Sequence, residues 1–253
     1  MIVTVGSIRG SPGVTSWSLL LAAAWPTAFG AERVVLEADP SGGVLGARYG
    51  WGVDPGTVSL IAALRRGGPG NRIAVESHAR SVAPEMWVVP GPESAEQARA
   101  VLAASAPDVA AGLRGDDRAW FVDAGRLDES NPTLATVSEA AVSLVVCGGR
   151  PEDVVALRSR VGLLRRHGAG TVGVIVTSSC PYQRGELAGF AEADQVWLAP
   201  ADVDLREVAA AVLGPSRRAR RTMVWRRALD VAADVATSAG MSKARASEPR
   251  VGA

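Results

Sequence analysis

Residues 1–16 of this 253-residue chain read MIVTVGSIRGSPGVTS, and the other predicted elements are arranged around them. The short β-branched run from Met1 to Val5 predicts a strand, and Gly6 to Gly13 is a loop with three glycines and one proline. The apolar residues from Val14 to Ala24 then predict a helix. A strand, a glycine loop and a helix in this order aim backbone amides and a helix N-terminus at one point, which suits a phosphate group.

The loop resembles the deviant Walker A loop of the ParA/MinD family, whose pattern is Lys-Gly-Gly-x-Gly-Lys followed by two Thr or Ser residues. The resemblance implies a nucleotide-binding loop with these members: Arg9, Gly10, Ser11, Pro12, Gly13, Val14, Thr15 and Ser16. Both lysines of the pattern are replaced, the first by Arg9 and the second by Val14. A valine cannot offset phosphate charge, and the sole lysine of the chain is Lys243. The loop therefore resembles a phosphate cradle without its usual cation.

Carboxylates end two further apolar runs, which read RVVLEAD over residues 33–39 and AWFVDAG over residues 119–125. Glu37 and Asp39 resemble the family's acidic switch, which implies that they handle the attacking water, here as vestigial or weak catalytic groups. Asp123 resembles the Walker B aspartate, which holds magnesium through water. The resemblance thus implies a Mg²⁺ site formed by Thr15, Asp39 and Asp123. An acid that has only a structural role, such as capping the next helix, is the alternative reading of each run.

Two later positions complete the site that the resemblance implies. The family's strand before the base commonly ends in an asparagine that reads adenine, and this chain has Thr177 there. Pro200, with Asp202, resembles the family's last nucleotide-side loop. ATP or ADP with Mg²⁺ is the implied cofactor, and we expect its binding to be weakened because both the lysine and the asparagine are missing.

Strand-like apolar runs alternate with helical stretches along the whole chain. Seven such runs are predicted as strands, over residues 1–5, 33–39, 86–90, 119–125, 141–147, 171–177 and 195–199. Nearly all-apolar strands alternating with helices predict an α/β fold, with a mostly parallel, twisted sheet of about seven to eight strands and helices on both faces. We expect one three-layer P-loop domain over residues 1–238 and a disordered tail over residues 239–253.

The last part of the chain is rich in arginine. Six arginines lie within eleven residues: Arg217, Arg218, Arg220, Arg221, Arg226 and Arg227. One interpretation is a final helix docked on the sheet, with its arginines in water. The other is a basic surface for a polyanion. The heptad-spaced Val224, Ala228, Val231 and Val235 predict a face that packs on the sheet, which leaves little apolar surface for lipid. DNA or an acidic protein therefore ranks above a membrane.

Composition excludes several classes of protein. Lys and Arg number 27 against 26 Asp and Glu, so the chain is not a globally basic nucleic-acid binder. Cys147 and Cys180 are predicted to be reduced core thiols, and His78 and His167 show no spacing typical of a hydrolase or metal site. The first strand begins at the N-terminus and no apolar run reaches eighteen residues, so we expect a cytoplasmic protein. The excess of arginine over lysine indicates a high-GC bacterial genome.

The resemblance implies a cytosolic factor that positions plasmids, chromosomes, division machinery or secretion and pilus machinery through nucleotide-gated dimerisation. It also implies a homodimer and a protein partner belonging to such a system. The replaced residues favour a pseudo-ATPase scaffold with weak or no hydrolysis. The alternative is an active ATPase in which Arg9, or an arginine from a partner, replaces the lysine.

Overall fold

The computed structural model describes residues 1–10, 13–29, 32–52, 54–67, 73–200, 205–214 and 216–247. Within these ranges the strands are β1 Ile2–Ser7, β2 Arg33–Glu37, β3 Arg80–Ala83, β4 Met86–Val89, β5 Ala119–Arg126, β6 Val142–Cys147, β7 Thr171–Val176 and β8 Gln195–Leu198. The helices are α1 Val14–Ala24, α2 Leu45–Tyr49, α3 Thr57–Gly67, α4 Ala95–Arg114, α5 Pro151–Arg166, α6 Arg184–Ala191, α7 Leu205–Leu213 and α8 Met223–Ser247.

The strands form one sheet in the order β3-β4-β2-β5-β1-β6-β7-β8. All neighbouring strands are parallel except β3 and β4. On one face, α1, α7 and α8 cover the sheet through a cluster that includes Val3, Phe121 and Trp197. On the other face, α3 and α4 pack over one half of the sheet and α5 and α6 over the other half. The predicted three-layer α/β fold is confirmed.

The central strands explain why this fold forms. Every residue of β1 and β6 is buried, as is every residue of β5 except the last. Strands that are apolar on both faces stay out of water only when helices cover both sides of the sheet. The carboxyl ends of the parallel strands then lie at one edge, where ligands bind in open α/β sheets.

Several elements were not predicted, β3, α6 and one 3₁₀ helix among them. Strand β3 is short, half exposed and joined to β4 by a tight turn at Pro84 and Glu85, so it lacks the apolar signal of the inner strands. The one sequence signal for helix α6 is a capping box between Gln183 and Glu186. Residues Pro132–Glu139 form a 3₁₀ helix with a weak apolar pattern.

The last described part of the chain is a long helix. Helix α8 continues to Ser247, past the boundary at residue 239 that was predicted to begin a tail. Val224, Ala228, Val231 and Val235 are all buried in the cluster on the sheet, as their spacing predicted. The rest of the predicted tail, residues 248–253, lies outside the described residues. None of the helices in the described ranges is long and apolar enough to cross a bilayer.

Candidate functional site

A cavity of about 1170 Å³ lies at the carboxyl ends of the central strands. Its walls come from the loop after β1, the segment after β2, the end of β5 and the start of α7. The lining residues are Ser7, Gly10, Gly13, Val14, Thr15, Ser16, Asp39, Ser41, Val44, Ala47, Arg48, Gly125, Arg126, Thr177, Leu205 and Arg206. Five members of the predicted loop, together with Asp39 and Thr177, therefore share one cavity. Ser11 and Pro12 lie outside the described residues.

The loop closes onto the first helix at Gly13. Its φ angle of 95° is left-handed, a conformation that favours glycine, and its carbonyl accepts the first helical hydrogen bond, from Trp17 N at 2.8 Å. A Cβ atom at Gly13 would lie 2.8 Å from Leu205 Cδ1, so α7 packs tightly over the loop. The residues at the start of α1, Val14, Thr15 and Ser16, line the cavity, and a helix N-terminus favours an anion.

Val14 occupies the position where the family pattern has a lysine. Only 7% of it is exposed, and it belongs to the apolar cluster between α1 and the sheet. The wall of the cavity at this point is therefore aliphatic.

Arg9 is not one of the described residues that line the cavity. Its Nε lies 3.9 Å from Asp153 Oδ1 at the start of α5, and 59% of the Arg9 side chain is exposed. Within one chain the guanidinium thus pairs with a neighbouring carboxylate.

Asp123 is completely buried near the end of β5. Its Oδ1 accepts the Gly125 amide at 3.1 Å, whereas its Oδ2 has no hydrogen-bond partner among the described residues. Burial raises the pKa of Asp123 to about 7, the nearby Thr15 side chain opposes that rise, and the charges of Glu37 and Asp39 add to it.

Glu37 lies opposite Asp123 in the pairing of β2 with β5, and it is 1% exposed. Its Oε1 accepts the amides of Val44 at 2.7 Å and Leu45 at 3.0 Å, and its Oε2 accepts Gly91 at 2.8 Å. Burial raises the pKa of Glu37, and these amides act in the opposite direction. The carboxylate thus joins the loop after β2 to the loop after β4. A catalytic role for Glu37 stays a prediction.

Asp39 is the predicted site carboxylate that lies on the cavity wall. Its Oδ1 accepts the Ser41 amide at 2.7 Å, which folds the chain back after β2. The rest of the carboxylate remains available for a ligand, since Asp39 is half-buried.

The residues present fit a magnesium ion. Mg²⁺ prefers oxygen ligands and is usually held by one or two carboxylates, with water and substrate phosphate completing its shell. Asp123 Oδ2 is a buried oxygen without a partner among the described residues, Thr15 lies beside it, and Asp39 lines the adjoining cavity. No group of three His, Cys, Asp or Glu side chains in the described ranges is arranged to hold a metal ion by itself.

Thr177 and Pro200, the last two predicted nucleotide-binding positions, lie in different cavities. Thr177 lines the large cavity, and its hydroxyl donates to the Cys147 carbonyl at 3.1 Å. Pro200 instead lines a smaller cleft of about 270 Å³ beside the start of α8, which also contains Met223, Arg226 and Arg227. Asp202 lies outside the described residues.

Three cavity arginines were missed by the sequence reasoning: Arg48, Arg126 and Arg206. Arg126 follows Asp123 by three residues at a strand's carboxyl end, which is a usable signal. Arg48 lies in the short helix α2, in a stretch where the sequence shows no motif.

The arginines of the C-terminal cluster lie around the start of α8. Arg217, Arg218, Arg220, Arg221 and Arg226 are exposed, and Arg227 is half-buried with its Nη1 3.3 Å from Asp230 Oδ2. The Arg220 guanidinium lies over the Trp225 ring, 5.7 Å from its centroid. The six therefore form a surface, and its binding of a polyanion stays a prediction.

The histidines and cysteines lie away from the cavity wall. His78 Nδ1 is 3.0 Å from Ser59 Oγ, a pairing that the sequence did not indicate, and His167 ends α5 as predicted. Cys147 and Cys180 are free thiols, the first of them buried.

No protein-family model and no curated protein matches the chain. Several solved structures match the chain in fold. The septum site-determining protein MinD from Pyrococcus horikoshii OT3, complexed with Mg-ADP, matches with a TM-score of 0.72 at 15% identity over 96% of this chain and 99% of that one. The cell division ATPase MinD from Pyrococcus furiosus gives a TM-score of 0.71 at 16% identity over 93% and 98%. A ParA family ATPase from Chlorobium tepidum TLS gives 0.68 at 11% identity over 92% and 97%. This chain therefore has the fold of the ParA and MinD ATPases.

Proposed function

We propose that this protein is a positioning or partitioning factor of the ParA/MinD type. Its cargo would be a chromosome, a plasmid, the division machinery, or a secretion or pilus system. The shared fold with a septum site-determining MinD and a ParA ATPase supports this proposal. We place it in the cytoplasm, in line with the sequence expectation.

Within this type, we propose a pseudo-ATPase scaffold that binds ATP or ADP with Mg²⁺ weakly and hydrolyses ATP little or not at all. The observation that carries this proposal is Val14, an aliphatic side chain packed into the core where the family pattern has a lysine. Thr15, Asp39 and Asp123 would hold the Mg²⁺, which offsets phosphate charge when it is bound. Without the lysine, a donor that stabilises the transferred phosphoryl group is missing.

An active ATPase is the second candidate, and the retained oxygen ligands favour it. In that case Arg9, or an arginine from a partner, replaces the lysine. The pairing of Arg9 with Asp153 argues against Arg9 replacing the lysine within its own subunit. Across a two-fold dimer Arg9 would instead have to leave that carboxylate for the partner's phosphate or carboxylate.

The partners proposed are a second copy of the chain, a protein of the positioned system, and DNA or an acidic surface at the arginine cluster. A membrane ranks below these, because the apolar face of α8 packs on the sheet.

Calorimetry with MgATP tests the proposal, with Asp39→Ala as the control for site-specific binding. Weak binding that Asp39→Ala abolishes, without turnover, is the expected result. Tight binding with sustained turnover favours the active ATPase. Light scattering with and without ATP, on the unsubstituted protein and Arg9→Ala, tests the dimer, and a monomer under all conditions contradicts it.

A further inference from the structure

We propose that Arg48 supplies, within one subunit, the positive charge that the phosphate-binding loop lacks, and that it binds the polyphosphate chain of the ligand. This inference rests on the proposed function only in so far as that ligand is a nucleotide.

The described loop residues offer no cation to the cavity. Val14 is aliphatic and packed into the core, and Arg9 lies beside Asp153 away from the cavity wall. A triphosphate carries several negative charges, so a cavity that binds one needs compensating groups from elsewhere.

The part of the cavity wall that follows β2 carries a positively charged side chain, that of Arg48. Arg48 lines the cavity from the end of α2, alongside Ser41, Val44 and Ala47. Arg126 and Arg206 line it as well, and Asp39 is the one carboxylate among the described lining residues. The charges on the wall therefore favour an anion.

Among the three arginines, Arg48 is the least exposed. It is half-buried, whereas Arg126 and Arg206 are exposed. Its Nη1 is buried and has no hydrogen-bond partner among the described residues. Its charge lies near the Tyr49 hydroxyl and the buried Glu37 carboxylate, and it acts to lower the pKa of both groups. The Tyr49 ring stacks on Trp51 with the centroids 4.6 Å apart.

An arginine in this state is suited to phosphate. Arg48 lies at the cavity wall, and an ionic hydrogen bond to phosphate is stronger where its donor is partly withdrawn from water. The planar guanidinium can bind phosphate through two parallel hydrogen bonds.

Calorimetry with two probes, MgATP and inorganic tripolyphosphate with Mg²⁺, tests the assignment. The variants are Arg48→Gln and Arg48→Met. The second keeps the aliphatic stem and removes the buried nitrogen, so it serves if the glutamine variant does not fold. Arg158→Gln is the matched control, since Arg158 is exposed and pairs with Glu192 on the surface.

We expect both Arg48 variants to bind both probes at least tenfold more weakly, and Arg158→Gln to bind them as the unsubstituted protein does. Arg48→Lys should lie between, because it keeps the charge and loses the paired geometry.

Unchanged affinity in folded Arg48→Met overturns the inference and leaves the proposed function standing. Arg9→Gln is assayed in the same way, and a loss confined to it assigns the charge to Arg9 and overturns the inference as well. Binding of tripolyphosphate but not of ATP, lost in the Arg48 variants, supports the inference and contradicts the nucleotide proposal. Binding of neither probe by the unsubstituted protein contradicts both.

Discussion

The carboxylate of Asp39 lies directly against the backbone of Gly125, so closely that a Cβ atom at position 125 would overlap it. Gly125 has a φ angle of +60°, a left-handed conformation that glycine adopts with little strain. Asp39 follows β2 and Gly125 lies near the end of β5, which are neighbours in the sheet. The missing side chain at Gly125 thus brings the predicted switch carboxylate to the strand that carries Asp123.

Replacing Gly125 by alanine should therefore destabilise the protein by about 1–3 kcal/mol, through backbone strain and displacement of Asp39. Urea unfolding measures this. Gly189→Ala is the control, because Gly189 lies in α6 with open space around it and alanine favours a helix. Equal stability of the Gly125→Ala variant and the unsubstituted protein would show that the backbone there adapts.

Glu37→Gln should destabilise the fold by about 1–3 kcal/mol, because one of the three amides that the carboxylate accepts would face an NH₂ group instead. Thermal unfolding measures the loss. Glu152→Gln on the exposed start of α5 is the control. A stability loss no larger than that of the control would mean that the link between the two loops contributes little.

The two cysteines should react at very different rates. Cys147 is buried, and burial raises its pKa to about 12, so it is neither accessible nor a thiolate at pH 8. Cys180 is partly exposed. Iodoacetamide at pH 8, followed by peptide mass mapping, should modify Cys180 alone, with Cys147 reacting only in urea. Comparable modification of both residues in the native protein would contradict the buried placement of Cys147.

The arginine cluster should bind duplex DNA in a salt-dependent way if it is a polyanion surface. Each arginine that neutralises a phosphate adds about one unit to the slope of log affinity against log salt. The test variant changes Arg217, Arg218, Arg220 and Arg221 to alanine. The control changes exposed arginines that are already ion-paired: Arg114, Arg158 and Arg166.

DNA binding lost in the test variant and kept in the control is the expected result. Anionic vesicles assayed in parallel should bind more weakly than DNA. Negligible DNA binding by every protein would leave these arginines as a solvated surface.

The architecture was predictable because the six inner strands and the edge strand β8 are continuous apolar runs. β3 was missed because a half-exposed edge strand lacks that pattern. The loop and the carboxylates were predictable as chain-order features, since each follows a strand whose carboxyl end faces the same edge. Contacts between distant segments were not predictable. The pairing of Arg9 with Asp153, the amides around Glu37 and the arrival of Arg48 at the cavity all depend on tertiary packing.

The pseudo-ATPase proposal is decided by the rate of ATP hydrolysis with Mg²⁺, measured beside Asp39→Ala and Val14→Lys. We expect turnover at or near the background of Asp39→Ala, because Val14 supplies no charge to the transferred phosphoryl group. Val14→Lys should raise nucleotide affinity if its amine reaches the cavity. Sustained turnover by the unsubstituted protein, abolished by Asp39→Ala, would contradict the account and identify the protein as an active ATPase.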